Sequence, residues 1–302
     1  MTRRSWVLFI AMCVIWGLPY LLIRIAVRDL DPAAVVFART AIGALLLLPI
    51  AIWRRTLGGL RGYWGWLIVY TIVELTIPWF LLTSAEQHLT SSLAGLLVAG
   101  VPLVGVILAR IVGVAETMTR RRWAGLVIGI AGVAALVGLQ VGNIDMIAVL
   151  EVFIVTIGYA AGPLVLSHRL KRAPSMAVVS VSLGLTAVFY APFALTSHPH
   201  HLSGEVIWSV IALAVVCTAV AFLIFFALIA DIGPTRATVI TYVNPAVAIA
   251  LGVTVLGEHL TTGMIIGFPL VLIGSVLATT HGKGTATEPL ETVENVPVVT
   301  PG

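Results

Sequence analysis

Three ionisable residues, Arg39, Glu74 and Glu151, fall well inside runs of about 20 apolar residues, where a charge is costly and defaults to a functional role. A guanidinium in such a place can hold a carboxylate through two parallel hydrogen bonds. A carboxyl there can hold an ammonium group, or take up and release a proton. Helical spacing adds aromatic neighbours. Tyr70, Glu74 and Pro78 share one face, Glu151, Gly158, Tyr159 and Gly162 a second, and Trp16, Tyr20 and Arg24 a third. Rings beside carboxylates suit stacking or cation–π contact with an aromatic or cationic substrate. Tyr242 and Asn244 join the candidate binding set. Pro102 and Pro245 interrupt their runs and are the candidate gating positions.

The elements that must position these groups follow from composition. Of 302 residues, 60% are apolar or aromatic and 10% are charged, against roughly 25% charged in a soluble domain. Mean hydropathy is +1.10. The natural solvent is lipid. Cys13 and Cys217 lie in apolar runs and read as packing residues, with neither a disulfide framework nor a metal site. No metal or cofactor is expected.

Reading from one polar break to the next predicts an all-α membrane protein of ten transmembrane helices. They cover about 5–27, 33–53, 63–83, 91–113, 123–140, 145–166, 175–196, 206–230, 235–256 and 262–280. The first is read as an uncleaved span, because no small-x-small cleavage site closes it. Residues 281–302 lack periodicity and are expected to form a disordered tail. Short connections make neighbouring helices antiparallel. With the N-terminus cytoplasmic, that side holds Arg3, Arg4, Arg54, Arg55, Arg61, Arg120, Arg121, Arg122, Arg169, Lys171, Arg172, Arg236 and Lys283. The other side holds Arg28. This asymmetry predicts a cell-membrane protein with both termini cytoplasmic, and turns the formal charge of +4 into an orientation signal rather than a nucleic-acid footprint. Arg24 and Arg110, one turn from a span end, are expected to snorkel to water. Arg39, Glu74 and Glu151 fall within roughly 5 Å of one depth at 1.5 Å per residue, which predicts one polar cluster.

The chain also repeats itself. Pro102, Glu116, Thr119, Gly125 and Gly132 recur 142 or 143 residues later as Pro245, Glu258, Thr261, Gly267 and Gly274. Five helices per copy invert the second copy, giving two inverted repeats over 1–140 and 141–280, a common plan of secondary transporters. Glu116 and Glu258 are expected to cap the helices that follow them, with Thr119 and Thr261. Gly95-x-x-x-Ala99 and Gly125-x-x-x-Gly129 read as packing faces.

Trp16-Gly17, Arg39, Ala94, Pro102, Glu116, Gly125 and Gly132 resemble an EamA-type domain. Pro245, Leu256-Gly257-Glu258 and Gly267 are similar to its closing part. The resemblance covers about residues 6–280 and implies membership of the drug/metabolite transporter superfamily, with exporters of amino acids and other small metabolites among its ten-helix members. Pro78-Trp79-Phe80, Glu86-Gln87 and Ser91 to Ala94 resemble a "PF…GE…SGLA" pattern, from which Trp79 and Ala85 depart.

The expected function is therefore a secondary transporter exporting or exchanging a small, amino-acid-like metabolite by alternating access, with protons as candidate coupling ions. Its partners are a small-molecule substrate and the lipid bilayer, not nucleic acid. The competing reading is a membrane-embedded enzyme, or a lipid- or drug-handling protein acting on a hydrophobic or cationic substrate. The sequence carries no Walker A loop, HExxH helix or GxSxG elbow, which disfavours an enzyme. His198-Pro199-His200-His201 with Glu205 reads as a solvated loop rather than a metal site.

Overall fold

The computed structural model describes residues 2–113, 118–139, 144–197 and 202–279. Glu116, His198 to His201 and the tail lie outside them. The described residues form helices and no strand. Among the described residues nine helices are long and apolar enough to cross a membrane: α1 (Arg3–Ala26), α2 (Pro32–Trp53), α3 (Trp64–Ala85), α4 (Ser91–Ile111), α5 (Arg120–Gly138), α6 (Met146–Arg169), α7 (Ser175–Thr196), α8 (Gly204–Ile232) and the last, Thr262–Thr279. Between α8 and the last lies a shorter apolar helix, α9 (Ile240–Leu256), which makes the last one α10. The run expected from 235 is broken before α9. A short turn, Pro234–Ala237, gives way at Thr238, whose carbonyl accepts from the Thr241 backbone and hydroxyl. Such local hydroxyl bonds compete with the helical ladder.

Prolines explain two of the interruptions. A proline lacks the N–H that would bond the carbonyl four residues back. The first segment of α1 stops at Ile15, four residues before Pro19, and the first segment of α4 stops at Val98, four before Pro102. Pro78 instead follows a π-helical turn, Thr71–Thr76, within α3. The neighbouring α7 braces that turn. The Thr71 hydroxyl lies 2.8 Å from Ser182 Oγ, Thr76 and Thr186 hydroxyls lie 3.0 Å apart, and Tyr190 Oη donates to the Thr76 carbonyl at 2.9 Å. A second π turn, Val215–Val220, interrupts α8 without a proline; there the Thr218 hydroxyl donates to the Leu213 carbonyl at 2.8 Å. Single π turns of this kind are frequent at functional sites.

Packing joins distant parts of the chain. α1 lies on α8 and α9, α3 and α4 lie on α6, α2 on α7, and α5 on α10. The α5–α10 contact is backbone to backbone. A Cβ on Gly132 would fall 2.6 Å from the Val271 nitrogen, and one on Gly125 would fall 2.7 Å from the Gly274 carbonyl oxygen. On the other helix, a Cβ on Gly267 would fall 2.7 Å from the Gly132 oxygen. Small residues permit this approach, and dispersion over the contact then holds the pair.

The short connections gather at two ends. Arg28 pairs with Glu205 at 3.4 Å, Ser197 donates to Asp31 at 2.6 Å, and His88 pairs with Asp145 at 3.7 Å at one end. Arg4 pairs with Asp231 at 3.6 Å, and Arg169 lies over Trp66 at 4.6 Å, at the other. Large side chains such as Trp53, Ile147, Leu195 and Trp208 are exposed on the outer helix faces, as lipid contact requires. Of four buried apolar clusters among the described residues, the two largest lie around Leu96, Leu136 and Leu213 and around Leu47, Leu67 and Leu183. Tyr159 packs against both.

Candidate functional site

Arg39 is the best-buried charge of the three that the sequence singles out, with 7% of its surface exposed. Its guanidinium carbon lies over the Trp79 ring of α3, 3.7 Å from the centroid, a contact worth about 2 kcal/mol when water is excluded. Its Nε donates to Thr218 Oγ1 on the α8 π turn at 2.9 Å. Ring contact and tether orient the group and leave its terminal nitrogens as the forward fork. Tyr20 of α1 and Tyr159 of α6 lie within electrostatic reach of this guanidinium.

Glu74 occupies the other π turn, on α3. Its carboxyl presses on Gly162 of α6, where any side chain would collide with it. Oε2 is sealed from solvent and takes no hydrogen bond. An unsatisfied buried acceptor costs about 1–3 kcal/mol, so this atom is poised for a donor. Tyr159 is within electrostatic reach of both Glu74 and Arg39. Tyr159 is thus the common neighbour of Arg39, Tyr20 and Glu74.

The other candidates make contacts of their own. Glu151 accepts from Ser84 Oγ at 2.9 Å. It lies about 7 Å of helix rise from the start of α6, whereas Glu74 lies about 16 Å from the end of α3. The two carboxylates therefore differ in depth. No ion pair joins Arg39 to either glutamate among the described residues. Trp16 packs on Phe222 and Phe225 of α8, at 6.2 and 4.7 Å between ring centroids. Tyr242 hydrogen-bonds Thr279 at 2.8 Å. The Asn244 amide nitrogen, turned to the carbonyls of Cys13 and Ile240, donates to both at 3.1 and 2.9 Å, pinning α9 to α1. Pro102 follows a full break in α4, whereas Pro245 is buried in the unbroken α9.

One expectation at the connections changes. Arg24 lines the polar mouth at the end of its span, where its NH1 also donates to the main-chain carbonyls of Glu86 and of Gln87, the latter at 3.0 Å. Those carbonyls are left over at the end of α3 and draw the cation. Glu258 does not cap its own following helix; Thr261 does, accepting from the Met264 nitrogen at 3.3 Å. Glu258 is instead held where α9 ends. Gly257 there turns left-handed at φ 66°, and the Glu258 nitrogen donates back to the Gly252 carbonyl at 3.0 Å. From that position its carboxylate accepts from the Ser91 and Ser92 nitrogens at 2.7 and 2.9 Å, and from Ser92 Oγ at 2.5 Å. A carboxylate is well placed at a helix N-terminus, so Glu258 clamps the start of α4 to the end of α9. Replacing it with Ala should destabilise the protein by about 1–2 kcal/mol, and Gln by less. Thermal unfolding in detergent reads this; three equal midpoints would contradict the clamp.

Sequence reasoning missed Trp79, Thr218 and Glu86. Trp79 left a signal as the residue that breaks the Pro-Phe pattern. Thr218 stands 144 residues after Glu74, close to the repeat offset, so aligning the copies would have paired them. Glu86 left its signal in the Glu86-Gln87 of the same pattern, but a carboxylate in a connection reads as solvated.

Comparison with known proteins agrees with this architecture. The EamA-like transporter family matches twice, over residues 4–138 and 146–280. An uncharacterized inner membrane transporter of Escherichia coli K12, YedA, is 30% identical over 279 residues, covering 89% of this chain and 88% of that one. A probable amino-acid metabolite efflux pump of Salmonella typhimurium is 24% identical over 294 residues, covering 91% and 94%. A solved crystal structure shares the fold at a TM-score of 0.66 and 20% identity, over 92% of this chain and 97% of that one. This chain belongs to the EamA-like transporter family.

Proposed function

We propose that the protein is a secondary transporter exporting or exchanging a small, amino-acid-like metabolite by alternating access. The observation that carries the carboxylate is the Arg39 fork, oriented by Trp79 and Thr218 with its terminal nitrogens donating to no group among the described residues. Glu74, whose Oε2 has no partner, would receive the ammonium group, and Tyr20 and Tyr159 would flank the body of the substrate. The name of the Salmonella relative supports the substrate class.

The proposed architecture is ten crossings in two inverted repeats, 1–140 and 141–280, with both termini cytoplasmic. Its support is the near-equivalence of the two π turns and the reciprocal glycine contact. Gly125 meets Gly274 and Gly132 meets Gly267, as a pseudo-twofold axis between copies would require. The basic residues of the connections support the orientation.

Counterflow in proteoliposomes, with a panel of amino acids inside and labelled analogues outside, tests the function. Saturable exchange without ATP is expected, and Glu74→Gln should lower it at least tenfold with expression unchanged. Product formation without translocation would instead establish the enzyme reading.

A further inference from the structure

Glu86 immediately follows α3, yet its side chain is 0% exposed and neither carboxyl oxygen has a hydrogen-bond partner among the described residues. Arg24 sits beside it but donates to main-chain carbonyls rather than to the carboxyl. Ser91 Oγ, equally enclosed at the start of α4, also has no partner. Just outside lies a polar cavity of about 390 Å³, bounded by Arg24, Arg28, Gln87, Thr90, Leu256 and Glu258. Glu86 is therefore the closed-off group behind an open polar mouth, next to the Glu258 clamp.

The groups facing it come from every element around it. They are Arg24 and Tyr20 on α1, Arg39 on α2, Tyr159 on α6, and Glu258 beyond α9. His88, on the same connection, turns to Asp145 instead. An enclosed carboxylate without donors is unstable, and a second carboxylate nearby worsens its position. Burial pushes the Glu86 carboxyl well above the usual range; Arg24 opposes this and Glu258 adds to it. Enclosure therefore favours the protonated form of Glu86.

We infer that Glu86 is a proton-binding latch: it takes one proton from the mouth when this end of the bundle closes and returns it to the same side on opening. The inference rests on the transporter reading for the meaning of opening, as half of an alternating-access cycle. Closing converts –COO⁻ and H⁺ into –COOH, and opening reverses it. The enclosed form binds the proton more tightly than the water-exposed form. Acid therefore favours closure, and rising pH favours opening as the proton is lost.

The test uses full-length protein in proteoliposomes with Gln87→Cys as a reporter in the mouth, since Cys13 and Cys217 are buried. Labelling by a membrane-impermeant maleimide is measured between about pH 5 and about pH 8, a window above the usual carboxylate pKa near 4. The rate is divided by that of the same reporter carrying Glu86→Gln, which cancels the thiol's own titration. The ratio should rise at least tenfold with pH, and His88→Gln should leave that rise intact. A constant ratio, or a rise abolished by His88→Gln, overturns the latch. If Glu86→Gln fails to fold, a hydrophobic carbodiimide on the unmodified protein provides the second reading. Peptide mapping should find an adduct at Glu86 that declines as pH rises; adducts at Glu74 alone overturn the inference. Counterflow is scored separately. Its absence with a pH-dependent ratio removes the transporter reading and leaves the proton site, and the converse removes only the latch.

Discussion

Arg39→Lys should raise the substrate concentration needed for half-maximal counterflow by about 10- to 100-fold while the protein still folds. Lysine keeps the positive charge but loses the guanidinium contact with Trp79, the Nε tether to Thr218 and the forward fork. A charge-assisted hydrogen bond contributes about 1.5–3 kcal/mol, and 1.4 kcal/mol is about tenfold in affinity. Thr218→Val removes the tether alone and should have a smaller effect in the same direction. Unchanged half-saturation in Arg39→Lys would show that the fork does not hold substrate and that its role is to bind α2 to α8.

Gly132→Leu should prevent α5 and α10 from closing and lower the yield of folded, monodisperse protein sharply. A Cβ at this position would meet the Val271 nitrogen, the Gly267 oxygen and the Leu270 side chain, all within 2.9 Å. Two of these are main-chain atoms that cannot rotate away, so the helices must separate along their length. Overpacking a well-filled contact costs about 1–3 kcal/mol when side chains can adjust, and more when backbone must move. Gly138→Ala provides the control on the same helix, since a Cβ there meets nothing within 4 Å and alanine favours helix. Thermal unfolding in detergent should show a large drop for Gly132→Leu and none for Gly138→Ala. Equal midpoints would refute the glycine contact as a determinant of the fold.

These two predictions differ in how far the sequence reaches. The glycines of α5 and α10 were legible, since the repeat relates Gly125 to Gly267 and Gly132 to Gly274 and small-residue spacing marks a packing face. The four-residue offset from Pro19 and Pro102 to the breaks at Ile15 and Val98 was likewise available, because it depends on one missing N–H. Arg39 was legible as a charge with nowhere to be solvated, but its partners were not. Thr218 lies 179 residues away. Glu151 looked equivalent to Glu74 by depth, until Ser84 drew it aside and the added length of α3 set Glu74 deeper. Glu258 looked like a cap for its own helix and serves α4 instead.

By itself, the sequence determined the apolar helical runs, the repeat and the few charges that solubility cannot explain. Those depend on local composition and period, which a chain carries whatever it packs against. Only the tertiary structure decided that Arg39 meets Trp79 and Thr218, and that Glu86 lies enclosed while Glu151 is tied to Ser84. Each depends on which distant helices come into contact, and whether a carboxyl keeps its water is settled by the surfaces that close over it.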